Sequence, residues 1–380
     1  MPDPSKPQFV AGGEHTLAVA RDGACYSSGA CGLGWTRLRD VVPALFGWRR
    51  APMDEPVAKA CGGYYHSLAV GASGTLYAWG CGVFCDGGND GVIPALGRPD
   101  ASAETIHPTA VDGAGPVAAV AAGAYHSVAL TKDGRVVTFG AAQLGQLGRS
   151  PDGGGVDKAG LPVDARPRPV EGLDEAPLGV GAAFYNSFVR CKSGVLCAGE
   201  NAFRQCGAGP RNLHTLATIE ELRGSDVREV TGGYCHLLAR TLGGRVLTLG
   251  CGDDGQRGDG RDCENDERPV VTEAALPGAA VQIAAGANHS LALLGDGSAY
   301  GWGSNEFGQL GDESENAAAP RRIPAPPGCT YAAVSAGYAH SVLTDDRGRA
   351  WAFGRGDNGQ LALGHDDDVA SPSLCNELPS

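Results

Sequence analysis

Histidine is the residue whose type and spacing in this sequence first suggest chemistry. A neutral imidazole beside serine could act as a general base or bind a metal ion. The histidine opens a phrase that recurs seven times, with asparagine in its place once, at His15, His66, His126, Asn186, His236, His289 and His340. Seven equivalent catalytic sites would serve no single mechanism. We therefore predict that each histidine hydrogen-bonds backbone within its own repeat.

Cysteine and glycine offer weaker chemical motifs. Cys81 and Cys85 form a C-x3-C pair, but no second Cys/His pair follows that would complete a zinc site. Cys191 and Cys197 lack redox spacing, and we expect packed, reduced thiols. The glycine-rich phrases lack the Lys-Ser/Thr ending of a phosphate loop. We therefore predict no cofactor, no metal and no small-molecule substrate.

Carboxylates cluster after three of the repeats and suggest a surface for a basic partner. We select as candidate binding residues Asp253, Asp254, Asp259, Asp262, Glu264, Asp312, Glu313, Asp366 and Asp367. Trp48, Arg49 and Arg50 form a second candidate, because Trp and Arg are favoured at binding hot spots. The alternative for both sets is an ordinary solvated surface. If the acidic residues form a binding surface, their charge should steer a basic partner towards it.

The net charge of −13 argues against nucleic-acid binding, which depends on cations that neutralise phosphates. No apolar stretch approaches the length of a membrane helix, and the first ten residues do not resemble a signal peptide. We expect a protein of the cytoplasm or nucleus with no membrane insertion and no direct nucleic-acid contact. A hydrophobic content of 42% is enough for a folded core.

The repeated phrase has the pattern of a β-hairpin. His-Ser-Val-Ala-Leu alternates like a strand, and a second strand follows a turn built on glycine, as tight hairpins require. That glycine occurs in every repeat, at Gly23, Gly74, Gly134, Gly194, Gly244, Gly297 and Gly348. A small-residue strand such as Val117–Ala122 precedes the hairpin, and a Pro-x-x-Val segment recurs after it, at 108–111, 167–170 and 320–323. Four strands per unit of roughly 50 residues is the content of one propeller blade.

The repeats predict an all-β fold, a seven-bladed propeller with four-stranded blades. The units begin near residues 9, 57, 117, 178, 227, 281 and 332, so residues 1–380 form one domain. The chain starts with a small-residue strand and ends with Ser371–Leu374, which resembles the last strand of a blade. We predict that these N- and C-terminal strands share one blade and so close the ring. Two longer loops, 81–106 and 149–165, are candidate insertions of functional importance.

These repeated phrases resemble the regulator-of-chromosome-condensation repeat. AGAYHSVALTKDGRVVTFG with the following GQLG (Gly145–Gly148) carries the likeness, which covers residues 9–375. The resemblance implies a seven-bladed propeller and leaves the function open. The family's plant UV-B photoreceptor has Gly-Trp-Arg-His-Thr phrases. Here Tyr64, Ala124, Tyr234 and Ala287 stand at the tryptophan position, which argues against light sensing.

The predicted function is a protein-interaction scaffold or adaptor that presents loops to a protein partner. The family resemblance adds one alternative, a guanine-nucleotide exchange factor for a small Ran-like GTPase. Such a factor would stabilise the nucleotide-free GTPase by binding energy and would need no nucleophile. A secreted enzyme inhibitor is a third, weaker alternative, because the sequence has many cysteines and no recognisable signal.

Overall fold

The protein is a ring of seven antiparallel sheets, described by a computed structural model. The structure describes residues 6–29, 47–80, 95–97, 105–150, 155–156, 160–207, 209–261 and 270–379. The four main strands of each blade follow chain order from the innermost to the outermost. First strands of consecutive blades are neighbours all round the ring, so the seven-bladed, four-stranded propeller is confirmed.

The strands follow one order in every blade. Blade 1 contains Gln8–Ala11, His15–Val19, Cys25–Gly29 and Arg49–Ala51. Blade 2 contains Val57–Gly62, His66–Gly71, Leu76–Gly80 and Thr105–Ala110. Blade 3 contains Val117–Ala122, His126–Thr131, Val136–Ala141 and Pro162–Pro169, with Gly155–Val156 added at its edge. Blade 4 contains Gly179–Ala183, Asn186–Arg190, Val195–Gly199 and Leu213–Thr218, and a 3-10 turn, Glu220–Leu222, follows.

The last three blades repeat the pattern. Blade 5 contains Val227–Gly232, His236–Thr241, Val246–Gly250 and Val271–Glu273. Blade 6 contains Ala280–Ala285, His289–Leu294, Ala299–Gly303 and Ala317–Arg322. Blade 7 contains Tyr331–Ala336, His340–Asp345, Ala350–Gly354 and Val369–Leu374. Buried apolar side chains pack between adjacent blades; Leu291 and Leu343, for example, belong to one core across blades 6 and 7.

Strand direction gives the ring two distinct faces. On one face of the ring, the first strand of each blade ends and the second strand begins. The connections from third to fourth strands lie on the same face. The opposite face carries the hairpins between second and third strands and the links between blades. The hairpin glycines lie there, and all seven adopt positive φ between +81° and +154°, which favours glycine. We call the second surface the hairpin face.

The prediction of a blade shared by both termini is wrong. Blade 1 has its own fourth strand, Arg49–Ala51, which pairs with Cys25–Ser27, so no strand from the C-terminus is needed. Blades 1 and 7 instead meet side by side. The Tyr338 N–H donates to the Gly13 carbonyl at 3.2 Å, and the Tyr26 hydroxyl donates to the Pro379 carbonyl at 3.0 Å.

The repeat histidines link neighbouring blades, which corrects the predicted bond to backbone of the same repeat. Each Nε2 lies 2.9–3.1 Å from a hydroxyl oxygen in the next blade. The six pairs are His15–Ser67, His66–Ser127, His126–Ser187, His236–Ser290, His289–Ser341 and His340–Thr16. We call these contacts the histidine latches. Burial lowers the pKa of His15 and His126 to about 4 and of the other four to about 3.

A glycine three residues before each latch histidine makes room for the imidazole. A Cβ on Gly12 would lie 2.3 Å from Cε1 of His15, and the same contact recurs at the other latches. Blade 4 departs from this rule at three positions together. Ala183 replaces the glycine, Asn186 replaces the histidine, and Leu237 stands where the next blade would supply serine. The junction between blades 4 and 5 therefore lacks a latch.

Candidate functional site

Seven aromatic side chains gather where the first and second strands meet. They come from five blades and are Tyr64, Tyr65, Tyr125, Phe184, Tyr185, Tyr234 and Tyr338. Neighbouring ring centroids lie 4.2–6.3 Å apart, within the range of aromatic contacts. We call this group the aromatic cluster and the surface that carries it the aromatic face.

The ring topology brings these residues together around its axis. Tyr64, Phe184 and Tyr338 come from blades 2, 4 and 7 and contact one another at 5.1–5.8 Å, so they span the axis. Behind them lies a central channel of about 480 Å³, lined mainly by alanine and glycine of the first strands. The cluster thus forms an aromatic floor at one end of the channel. Tyr125 is buried, whereas Tyr234 is 41% exposed.

Carboxylates surround the aromatic cluster. In the described turns and connections of this face there are thirteen carboxylates, six arginines and no lysine. Arg149 and Arg257 are buried beside Asp164 and Asp259, and Arg355 pairs with Asp357. The thirteen carboxylates are Glu14, Glu200, Asp253, Asp254, Asp259, Glu306, Asp312, Glu313, Glu315, Asp357, Asp366, Asp367 and Asp368. We call them the acidic rim.

The innermost rim carboxylates act electrostatically on the aromatic cluster. Burial raises the pKa of Tyr64 and Tyr65, and the charge of Glu14 raises both further. Burial also raises the pKa of Tyr234, with Glu200 as the next cause. Their phenols therefore stay neutral at physiological pH. The face combines neutral, partly exposed rings with negative charge.

The structure places seven of the nine predicted acidic residues on the aromatic face, where their surroundings differ. Asp253 is exposed, and burial followed by the charges of Glu306 and Asp253 raises the pKa of Asp254. Glu313, Asp366 and Asp367 are exposed. Asp312 accepts hydrogen bonds from Asn305 and from the Ser314 backbone. Asp259 is largely buried beside Arg257, and Asp262 and Glu264 lie outside the described residues.

Trp48, Arg49 and Arg50 lie apart from this surface. Trp48 is only 8% exposed, its indole N–H donates to the Asn376 carbonyl at 2.8 Å, and its ring packs 5.7 Å from Phe9. It therefore fills the seam between blades 1 and 7. Arg49 and Arg50 belong to the outermost strand of blade 1.

The cysteines differ from the prediction at one pair. Cys197, expected as a packed thiol, is bonded to Cys206 in the third-to-fourth connection of blade 4. Cys25, Cys61, Cys191, Cys235, Cys251, Cys329 and Cys375 are free. Within the described ranges no group of three His, Cys, Asp or Glu could hold a metal ion. Cys81 and Cys85 lie outside them.

The two predicted long loops are described only in part. The Ala95 carbonyl accepts a hydrogen bond from the Ser127 hydroxyl at 2.8 Å, as the Gln146 carbonyl of blade 3 does from Ser187. Ala95–Gly97 thus takes the place of the GQLG turn in blade 2. In the second loop, Asp164 bridges Arg149 and Arg168. No helix among the described residues is long and apolar enough to cross a membrane.

The aromatic cluster is not among the sites predicted from the sequence. Its signal is present there, because all seven residues occupy the two positions before a latch histidine or its asparagine. The comparison with the tryptophan phrases of the photoreceptor considers only one of these positions, two residues before the histidine. The cluster emerges only when both positions are taken together across five blades.

Comparisons with known proteins agree with this architecture. A family model described as RCC1-like domain matches residues 4–316, and models of the regulator of chromosome condensation (RCC1) repeat match 296–344 and 331–360. The ultraviolet-B receptor UVR8 of Arabidopsis thaliana is 28% identical over 327 residues, covering 85% of this chain and 70% of the receptor. The regulator of chromosome condensation of Xenopus laevis is 26% identical over 371 residues, covering 92% and 70%.

Solved structures show the same fold. Prp20p from Saccharomyces cerevisiae, described together with its binding to Gsp1p and histones, superposes with a TM-score of 0.77 at 21% identity. The match covers 98% of this chain and 88% of Prp20p. The family model, the seven repeats and the histidine latches lead to one conclusion. The chain belongs to the RCC1-like family of seven-bladed β-propellers.

Proposed function

We propose that this protein is an interaction scaffold whose aromatic face binds a protein partner with a basic surface. The observation that carries the proposal is the aromatic cluster at the centre of the acidic rim. Interfaces bury aromatic residues at their core and keep polar and charged residues at the edge. The arrangement on this face has the same order from centre to rim.

The two parts of the face would contribute differently to binding. Tyr234 of the aromatic cluster is 41% exposed, and Phe203, in the third-to-fourth connection of blade 4 on the same face, is 42% exposed. Both rings would lose contact with water when a partner covers them. The acidic rim would accelerate encounter with a basic partner and select against acidic ones. Rim contacts should therefore respond to salt, and central aromatic contacts should govern the dissociation rate.

The repeat histidines do not favour a hydrolytic function. All six are buried, and each is engaged in a latch with the next blade. A general base must reach the proton that it removes, and these side chains have no exposed surface from which to do so. Their hydrogen bonds connect neighbouring blades of the ring.

Affinity capture with face-specific variants tests the proposal. Immobilised wild-type protein, Phe184→Ser with Tyr234→Ser, and the hairpin-face variant Asp174→Asn would be compared in lysate of the source organism by quantitative mass spectrometry. We expect partners that wild type and Asp174→Asn retain and the double variant loses, while circular dichroism shows all three folded. A double variant that retains the same partners would refute the aromatic face as the binding surface.

A guanine-nucleotide exchange factor is the second candidate. It is favoured by the similarity to the Xenopus regulator of chromosome condensation across 92% of this chain. The same capture would be run with EDTA and with excess GTP and Mg²⁺. A small GTPase held only after its nucleotide is stripped would support exchange, whereas equal retention in both conditions would support a scaffold.

A further inference from the structure

Glu200 places a partly buried carboxylate at the edge of the aromatic cluster. Its backbone N–H donates to the Tyr185 carbonyl at 3.1 Å, and its carbonyl accepts from the Asn186 side-chain amide at 2.6 Å. The backbone is therefore fixed beside the cluster. Its Oε2 is buried and has no hydrogen-bond partner among the described residues. Burial alone raises the pKa of this carboxyl, and no described cation counteracts it.

Blades 6 and 7 contain an arginine, an aromatic ring and a carboxylate in contact, at repeat positions that can be compared with those of blades 4 and 5. Arg355 directly follows the third strand of blade 7, and its guanidinium lies 5.5 Å from the ring centre of Phe307 in blade 6. It also bonds Asp357 at 2.6 Å. Tyr338 occupies the turn of blade 7. The chain thus places its own arginine over an aromatic ring, with a carboxylate as partner.

Blades 4 and 5 keep the aromatic rings at the positions of Phe307 and Tyr338 but have no arginine at the position of Arg355. Phe203 corresponds to Phe307, since each stands two residues before the turn glutamine of its blade, and Tyr234 corresponds to Tyr338. Cys251 stands where blade 7 has Arg355, and Glu200 stands where blade 6 has Ser304. At these two positions the junction therefore loses a cation and gains an anion, while the exposed Arg204 stands where blade 6 has Gly308. Its two rings are exposed, and Tyr234 packs 5.7 Å from Tyr185.

A guanidinium from outside would match these groups. A buried carboxylate oxygen without a partner costs free energy, which a charged donor recovers. Arginine also stacks on aromatic rings better than lysine, because its cation is planar and more weakly hydrated. We infer that Glu200, Phe203 and Tyr234 form a binding seat for an arginine side chain of the partner. This inference rests on the proposed function, since it assumes that the partner docks on the aromatic face.

Fluorescence anisotropy with defined peptides tests the seat directly. The probe is a fluorescein-labelled peptide of alternating glycine and arginine, compared with the same peptide carrying lysine. The wild type should bind the arginine peptide at least fivefold more tightly than the lysine peptide. Equal affinity would overturn the assignment to arginine.

Two variants locate the binding at the seat. Glu200→Gln removes the carboxylate charge, and Cys251→Arg supplies the cation internally, as Arg355 does in blade 7. We expect each to weaken arginine-peptide binding at least tenfold. Glu220→Gln, the same substitution near the same junction on the hairpin face, should change it less than twofold. If Glu200→Gln and Glu220→Gln behave alike, the binding is general attraction to an acidic protein and the inference is wrong.

Cys251→Arg has a second readout that does not depend on the peptide. If the seat accepts a guanidinium, the variant should have an unchanged or higher Tm and reduced exposure of Phe203 in its crystal structure. A folded variant whose new arginine points into solvent would contradict the seat. Failure of both peptide and variant tests, with partner capture still lost in the Phe184→Ser, Tyr234→Ser protein, would remove the seat and leave the proposed function standing.

Discussion

Five of the six latch histidines are held in one tautomer by a hydroxyl that donates its own hydrogen to a backbone carbonyl. The Ser187 hydroxyl donates its only hydrogen to the Gln146 carbonyl at 2.6 Å, so it accepts from His126. Ser290, Ser341 and Thr16 repeat this arrangement with Gln256, Gln309 and Gln360. The latch therefore needs a neutral imidazole with its proton on Nε2. Charging the ring would place a cation in a fully buried site.

We predict a steep loss of stability in mild acid. The folded pKa of the six histidines is about 3 to 4, below the ordinary value of 6.5, so the unfolded chain binds more protons between these limits. The latches make their full contribution to the free energy of unfolding above about pH 6.5, and this contribution is lost as the pH falls towards 4. Each histidine contributes up to about 1.4 kcal/mol per pH unit to this slope.

Urea unfolding at several pH values checks this prediction. His289→Asn, which copies the natural asparagine of blade 4, should reduce the slope of unfolding free energy against pH by one proton between pH 4.5 and 6. Above pH 7.5 the histidines should contribute nothing to this slope in either protein. A variant that keeps the wild-type slope would show that His289 is not buried in its neutral form.

Gly12 provides a second prediction at the residue scale. A Cβ there would lie 2.3 Å from Cε1 and 2.7 Å from Nε2 of His15, so Gly12→Ala should destabilise the protein by about 2–3 kcal/mol. Adding His15→Asn should recover part of this loss, because Ala183 and Asn186 coexist naturally in blade 4. Chemical denaturation of the single and double variants decides the point. A double variant no more stable than Gly12→Ala would mean that the strain lies elsewhere.

Blade 4 shows that the latch depends on three positions, which lie in three strands of two neighbouring blades. Asn186 turns back into its own blade, where its amide donates to the Glu200 carbonyl and to Cys206 Sγ at 3.2 Å. Leu237 is fully buried in an apolar cluster with Phe188 and Ile219. Apolar packing thus replaces the polar contact at this junction.

The missing latch should be restorable only as a set. Asn186→His alone should lose about 2 kcal/mol, because the Ala183 Cβ occupies the space of the ring and Leu237 offers no hydroxyl. The triple variant Ala183→Gly, Asn186→His, Leu237→Ser should be more stable than Asn186→His and should take up one more proton on acid unfolding. Additive effects across all combinations would contradict the coupling of these positions.

At the scale of the whole molecule, the ring is closed by side-by-side packing of blades 1 and 7. The seam combines the His340–Thr16 latch, backbone bonds and the buried Trp48 beneath residues 376–379. Closure removes the free edges that a linear array of blades would expose. It also brings all seven first-to-second strand turns around one axis, which assembles the aromatic cluster.

Trp48→Ala should weaken this seam without disturbing the distant blades. We expect a loss of about 3 kcal/mol from the cavity and the lost bond to the Asn376 carbonyl, and a smaller loss for Trp48→Phe, which keeps most of the packing. Thermal unfolding measures the loss, and limited proteolysis should cut first near the C-terminus in Trp48→Ala. Unchanged Tm and proteolysis would show that Trp48 does not support closure.

Several features of the fold are predictable because they are local. The seven hairpins follow from alternating strands and turn glycines a few residues apart, and the first strand of blade 3, Val117–Ala122, has the bounds that its sequence predicts. The blade-1 fourth strand Arg49–Ala51 is only three residues long and carries no Pro-x-x-Val pattern, so it cannot be recognised from the sequence. The predicted ring closure is wrong because it assigned that place to the C-terminal strand.

The candidate site is predictable only in part, because only some of its features depend on residues close together in the sequence. The acidic rim follows from charge clusters behind third strands. The aromatic cluster and the Glu200 seat depend on residues from different blades.

The sequence by itself determined the number of blades, the hairpin in each and the sign of the charge, since these depend on neighbouring residues and composition. The tertiary structure decided which serine each histidine contacts, how the first and last blades meet and which side chains share the aromatic face. The latches and the seam between blades 1 and 7 join residues more than 50 positions apart, such as His66 with Ser127 and Tyr26 with Pro379. They form only when ring closure brings separate repeats side by side, which no single repeat encodes.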